Sequence, residues 1–151
     1  MRILPVNSYS DNAVTQKSVN PAFNASVKIT GEASTYASNA LRRNRNAGYL
    51  LLHNAISKLN KRIYEESPLG KNITFDVIKN KSKISPNGKI SNFEMKMGDK
   101  SVDYYFDFEN IIKDPAYYGK SEEERIAIES AKQSEYLYNT FNSLRSKRIY
   151  A

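Results

Sequence analysis

The chain has no cysteine and no tryptophan, and a single histidine, His53. Without thiols there is no disulfide, no thiolate nucleophile and no Cys-ligated zinc site. One imidazole also excludes His-pair metal motifs within a single chain. Long apolar runs are missing as well. The longest, Tyr49 to Leu52, falls far short of the ~20 residues a membrane helix needs. The opening Met1-Arg2-Ile3-Leu4-Pro5 carries one positive charge, but no apolar stretch of the ~7–15 residues of a secretory signal follows it. The expectation is a soluble, cytoplasmic chain with no membrane partner. No motif asks for a cofactor or a metal ion.

What is present is a basic, polar chain. Its 151 residues hold 23 Lys and Arg against 16 Asp and Glu, a net charge of +7 and a pI near 9.5. Leu, Ile, Val and Phe make up about 22% of the residues, just above the roughly 20% below which charged chains stay disordered. A core is therefore possible along part of the length. Lys, Asn, Ile and Tyr are all abundant and all have AT-rich codons, so the basic pI has a compositional explanation beside any functional one.

Patterning along the chain predicts a flexible arm over 1–24 and one α+β domain over 25–151, its core at 46–147. The arm is rich in Ser, Asn, Thr and Gln and is broken by Pro5 and Pro21. Residues 25–30 alternate weakly up to Gly31 and can add an N-terminal edge strand. From Ser34 to Ile63 apolar residues follow a 3.6-residue stripe, weakest at Asn44–Gly48, where a kink or break is expected. Three strands follow, carried by Ile73/Phe75/Val77, Phe93/Met95/Met97 and Val102/Tyr104/Phe106/Phe108. Gly98-Asp99 reads as a two-residue hairpin turn, which sets Phe93 opposite Tyr104 and Met95 opposite Val102 on one face. Ser85-Pro86-Asn87-Gly88 reads as the turn before it.

The last helix opens with a capping box, Ser121 and Glu124, and should bury Ala127, Ser130, Ser134, Leu137, Phe141 and Leu144. The expected fold is thus α+β: helix, three-stranded antiparallel meander, helix. Its core should include Leu52, Ile56, Leu59, Phe75, Val77, Phe93, Met95, Val102, Tyr104, Phe106, Leu137 and Phe141.

Two sets of residues carry chemistry. Arg42, Arg43, Arg45, Lys61 and Arg62 on the first helix, with Lys79, Lys81, Lys83 and Lys89 around the Pro86 turn, are candidate phosphate contacts for a nucleic acid. The αβββα order over roughly residues 46–140 resembles a double-stranded-RNA-binding domain. The second helix departs from that family: it opens with Ser121-Glu122-Glu123-Glu124 where the family has phosphate-gripping lysines. The same order resembles the PD-(D/E)xK nuclease core, which implies Asp76 and Glu94 as Mg²⁺ ligands and Lys96 as the group that orients water. Here Phe75 stands where that family has proline.

Glu94 also faces Asp103 across the predicted register, and polar neighbours of that kind are usually solvated. Finally, Met1-Arg2-Ile3-Leu4-Pro5-Val6-Asn7 and Asn20-Pro21-Ala22-Phe23 resemble the starts of small uncharacterised proteins of gut-dwelling, non-photosynthetic relatives of cyanobacteria. That resemblance implies no activity. The sequence reading is a small basic binding or adaptor domain, without catalysis. Its partner is a nucleic acid or, alternatively, a protein or a second copy of the chain.

Overall fold

Thr30 shows how the first elements are joined. The computed structural model describes residues 26–66, 72–78 and 89–146, so the expected arm, the Ser85–Gly88 turn and Lys79, Lys81 and Lys83 lie outside the described residues. Thr30 ends strand β1 (Ser26–Ile29) and caps helix α1 (Gly31–Ala40), accepting from the Ala33 amide at 3.1 Å. The chain turns through Leu41–Asn44. Asn44 Oδ1 then accepts from the Ala47 amide at 3.1 Å, in the first turn of α2 (Arg45–Glu66).

The single apolar stripe from 34 to 63 is therefore two helices, divided just before the expected weak point. Gly48 lies within α2 rather than at the break. A Cβ there would stand 2.0 Å from the Ala37 carbonyl oxygen, so this glycine lets α1 and α2 cross in close contact.

The sheet is mixed and four-stranded, in the order β1-β2-β3-β4 with β2 Asn72–Val77, β3 Phe93–Met97 and β4 Lys100–Tyr104. This corrects the three-stranded expectation. β2, β3 and β4 do form an antiparallel meander, but β1 lies beside β2 in parallel, Val27 opposite Ile73. The parallel pairing needs a crossover, and α1 and α2 supply it. The hairpin register is the one the turn requires, with Phe93 facing Tyr104 and Met95 facing Val102. β4 stops at Tyr104, short of the expected Phe108.

Phe106 still turns inward because Asn92 stands in for a neighbouring strand. Its side chain accepts from the Phe106 amide at 2.8 Å and donates to the Phe106 carbonyl at 2.9 Å. Asn60 of α2 does the same for Val27 on the outer edge of β1, at 2.7 and 3.0 Å. Both closures satisfy backbone groups that would otherwise be costly to bury.

Two long helices, α2 and α4 (Glu122–Ser146), cover one face of the sheet, and the apolar core lies between. Ten of the twelve expected core residues are buried, while Val77 and Val102 pack against the core half-buried. The core also takes in Val27, Ala33, Ala37 and Leu41, ahead of residue 46. The capping box at the start of α4 is formed, with Glu124 N and Ser121 N each 3.2 Å from the other residue's side-chain oxygen.

One buried position on α4 differs from expectation. Ala127 is exposed, and Ile126, Glu129 and Gln133 are buried instead. The cause is the segment before it, which has no apolar period. It folds as a short helix α3 (Asn110–Lys113) and a 3-10 turn (Pro115–Tyr117) that pack on the start of α4. Among the described residues no helix is long and apolar enough to cross a membrane.

Candidate functional site

The outer face of the sheet carries the acids that sequence spacing singled out. Asp76 faces Glu94 in the β2–β3 register, and Glu94 faces Asp103 in the β3–β4 register, so three carboxylates form one cross-strand row. Lys96 Nζ is 4.0 Å from Glu94 Oε2. The residues of the nuclease resemblance are thus brought to one face.

Among the described residues no group of three or more His, Asp or Glu is placed to hold a metal ion. Asp76 is buried and used structurally: its Oδ1 accepts from the Thr30 hydroxyl at 2.6 Å and from the Val77 amide at 2.8 Å. The Thr30 bond ties β2 to the cap of α1.

The candidate phosphate contacts among the described residues do not share a stripe. Lys61 lies about 24 Å along α2 from Arg45 and about 160° around it, at ~1.5 Å and ~100° per residue. Arg62 is committed to α4: its guanidinium contacts Glu135 at 3.0 Å, Glu66 at 3.4 Å, and the Tyr138 ring at 3.5 Å from the centroid. Lys89 lies 3.6 Å from Asp107, and Arg45 donates to Asn39 at 2.7 Å. Arg42 and Arg43 are adjacent and exposed in the α1–α2 corner.

Charge confirms the pattern. The described residues hold fifteen bases and fifteen acids, so the entire +7 comes from 1–25, 67–71, 79–88 and 147–151, where eight bases meet one acid.

A buried polar chain escaped the sequence reading. Glu129 is fully buried on α4; it accepts from the Tyr117 hydroxyl at 2.6 Å and from Gln133 Nε2 at 2.7 Å. Gln133 Oε1 in turn accepts from the Tyr104 hydroxyl. Burial first, then the nearby Glu129 carboxylate, pushes both tyrosine hydroxyls well above their ordinary range. The signal was present in the sequence: Glu129 and Gln133 fall beside Ser130, Ser134 and Leu137 on the inward arc of the helix.

The surface above this chain is concave. Three hollows adjoin along residues 105–112, of about 500, 520 and 330 Å³. The first lies between β4 and α4 and shares Tyr105 and Asp107 with the second. The second shares Ala40 and Glu109 with the third, at the α1–α2 corner. Tyr36, Ile90, Ile112 and Tyr136 stand exposed around their rims.

Elsewhere His53 stacks on Tyr49 at 3.9 Å between centroids and shares a 2.7 Å hydrogen bond with Ser34 Oγ. Partial burial holds its pKa below the ordinary value. No nucleophile beyond Ser34 adjoins it among the described contacts, and its partners serve to join α1 to α2. No family model, no curated protein and no solved structure matches this chain.

Proposed function

We propose that this chain is a small non-catalytic binding or adaptor domain whose partner is a protein. The observation that carries the reading is the continuous band of hollows along residues 105–112, rimmed by exposed Tyr36, Ile90, Ile112 and Tyr136. Aromatic and aliphatic side chains at the margins of concave surfaces are typical of protein contacts. The charge balance of the described body and the dispersal of its bases speak against a phosphate-tracking face there.

A second reading, nucleic-acid association, is favoured by one specific observation. The net positive charge is concentrated in 1–25, 67–71, 79–88 and 147–151. A salt titration of the full chain on a duplex DNA and a duplex RNA separates the two. The protein-partner reading expects no saturable binding even at low salt. Binding that falls with a log–log slope of about −0.9 per neutralised phosphate would install the nucleic-acid reading instead.

The nuclease resemblance has its own test. Mg²⁺-dependent cleavage of either nucleic acid, lost in Lys96→Ala, would overturn the non-catalytic proposal. The expected outcome is no cleavage by either protein.

A further inference from the structure

We infer that the hollow at the α1–α2 corner docks an acidic peptide segment carrying one apolar anchor. The inference rests on the protein-partner reading and names the surface and the chemistry of its occupant. The floor is apolar, formed by Ala40, Leu41, Ala47 and Ile111, with Ile112, 57% exposed, at the rim. At about 330 Å³ it lies at the lower end of ligand pockets, ~300–1,000 Å³, which suits a single side chain rather than a cofactor.

Arg42 and Arg43 line the same hollow. Neither has an ion pair among the described residues. The two acids of the rim are already engaged, Glu109 with Lys113 at 2.8 Å and Glu122 with Asn44. The Lys113 pair neutralises Glu109, whereas Glu122 keeps its charge on a neutral amide, so the two guanidinium groups leave the hollow a surplus of one positive charge.

Guanidinium forks match carboxylates and phosphates alike, but the apolar floor offers a sugar–phosphate backbone nothing, whereas an apolar side chain fills it. An apolar side chain seated on Ile111 and Ile112, with carboxylates reaching Arg42 and Arg43, meets the apolar floor and both guanidinium groups of the site.

The test uses the full chain and a short fluorescein-labelled peptide with one leucine flanked on both sides by glutamates. Fluorescence anisotropy should show saturable binding. Arg42→Glu with Arg43→Glu should weaken it about tenfold or more, as should Ile112→Ser or serine in place of the peptide's leucine. Arg42 and Arg43 are exposed, so circular dichroism and the melting temperature of the double variant should match wild type.

Equal binding by the double variant, equal binding of the serine peptide, or no binding in the millimolar range each overturns the site. Loss of peptide binding with no duplex binding ends this site but leaves the protein-partner reading standing. Salt-steep duplex binding brings down both. A concentration-dependent dimer in sedimentation that the double variant abolishes would make the occupant a second copy, and the peptide proposal fails.

Discussion

The two halves of α4 bury comparable lengths of helix with opposite chemistry. Its C-terminal half turns Leu137, Phe141 and Leu144 onto the apolar core. Its N-terminal half buries Glu129, Ser130, Gln133 and Ser134, and Tyr104 and Tyr117 close the Glu129–Gln133 pair. Apolar packing tolerates many exchanges of similar volume, whereas a hydrogen-bonded chain fixes one position along the helix. The apolar half therefore supplies most of the stabilisation, and the polar half sets where the segment 104–117 sits. That segment borders all three hollows, so the buried chain positions the surface proposed to bind.

The comparison can be broken at several points. The largest effect is expected in the apolar half. Leu137→Ala, at a fully buried site, should cost about 2–5 kcal/mol in a urea melt, much the same at pH 5 and pH 8. Next comes Gly48→Ala, which forces a methyl group against the Ala37 carbonyl. It should cost about 1–3 kcal/mol by chemical denaturation, with more for Gly48→Val. A loss under half a kcal/mol would mean that α1 slides freely on α2.

At the polar end, Glu129→Gln keeps the shape but sets an amide donor against Gln133, leaving a buried group unpaired. The expected cost is about 1–3 kcal/mol. Its signature should be local as well: amide exchange over 104–117 should rise while the Leu51–Leu59 stretch stays protected. Uniform deprotection would show that the polar end has no separate positioning role.

Asn92→Ala removes both bonds to the Phe106 backbone and should expose the 105–108 stretch to exchange, with an overall cost of about 1–2 kcal/mol.

The smallest effect is a pH dependence away from α4. Burial lowers the His53 pKa in the folded state, so the unfolded chain binds the proton more readily. Stability from this group is present above the unfolded value near 6.5 and is lost as pH falls through the folded value. His53→Gln should flatten the decline between pH 7 and pH 5. An unchanged slope would show that His53 does not carry the decline, whereas Glu124 acts below that window, under its ordinary value near 4.5. The bonds Glu124 makes to Ser121 hold its pKa below the ordinary range and make it lose stability at lower pH in the same sense.

Much of the fold was legible because its signals are local. The Gly98-Asp99 turn sets the β3–β4 register, since a two-residue hairpin leaves no freedom in the pairing. The capping box marks the start of α4 through hydrogen bonds spanning three residues. The site was less legible. Asp76, Glu94 and Lys96 do share a face, but nothing in their spacing shows that Thr30 engages Asp76 from another element. Arg62 looks like any exposed base until α4 brings Glu135 and Tyr138 over it.

By itself, then, the sequence determined the period of the longer helices and of the meander strands, the Gly98-Asp99 turn and the Ser121 cap, and the overall balance of charge. Those follow from bonds and side chains within a few residues of one another. The tertiary structure alone decided that β1 crosses over to lie parallel to β2, and that Gly48 is a crossing point rather than a break. It also decided that Glu129 is buried and that Arg42 and Arg43 border an apolar hollow. Each depends on contacts between residues far apart in the chain, where the identity of a neighbour is a property of packing and not of spacing.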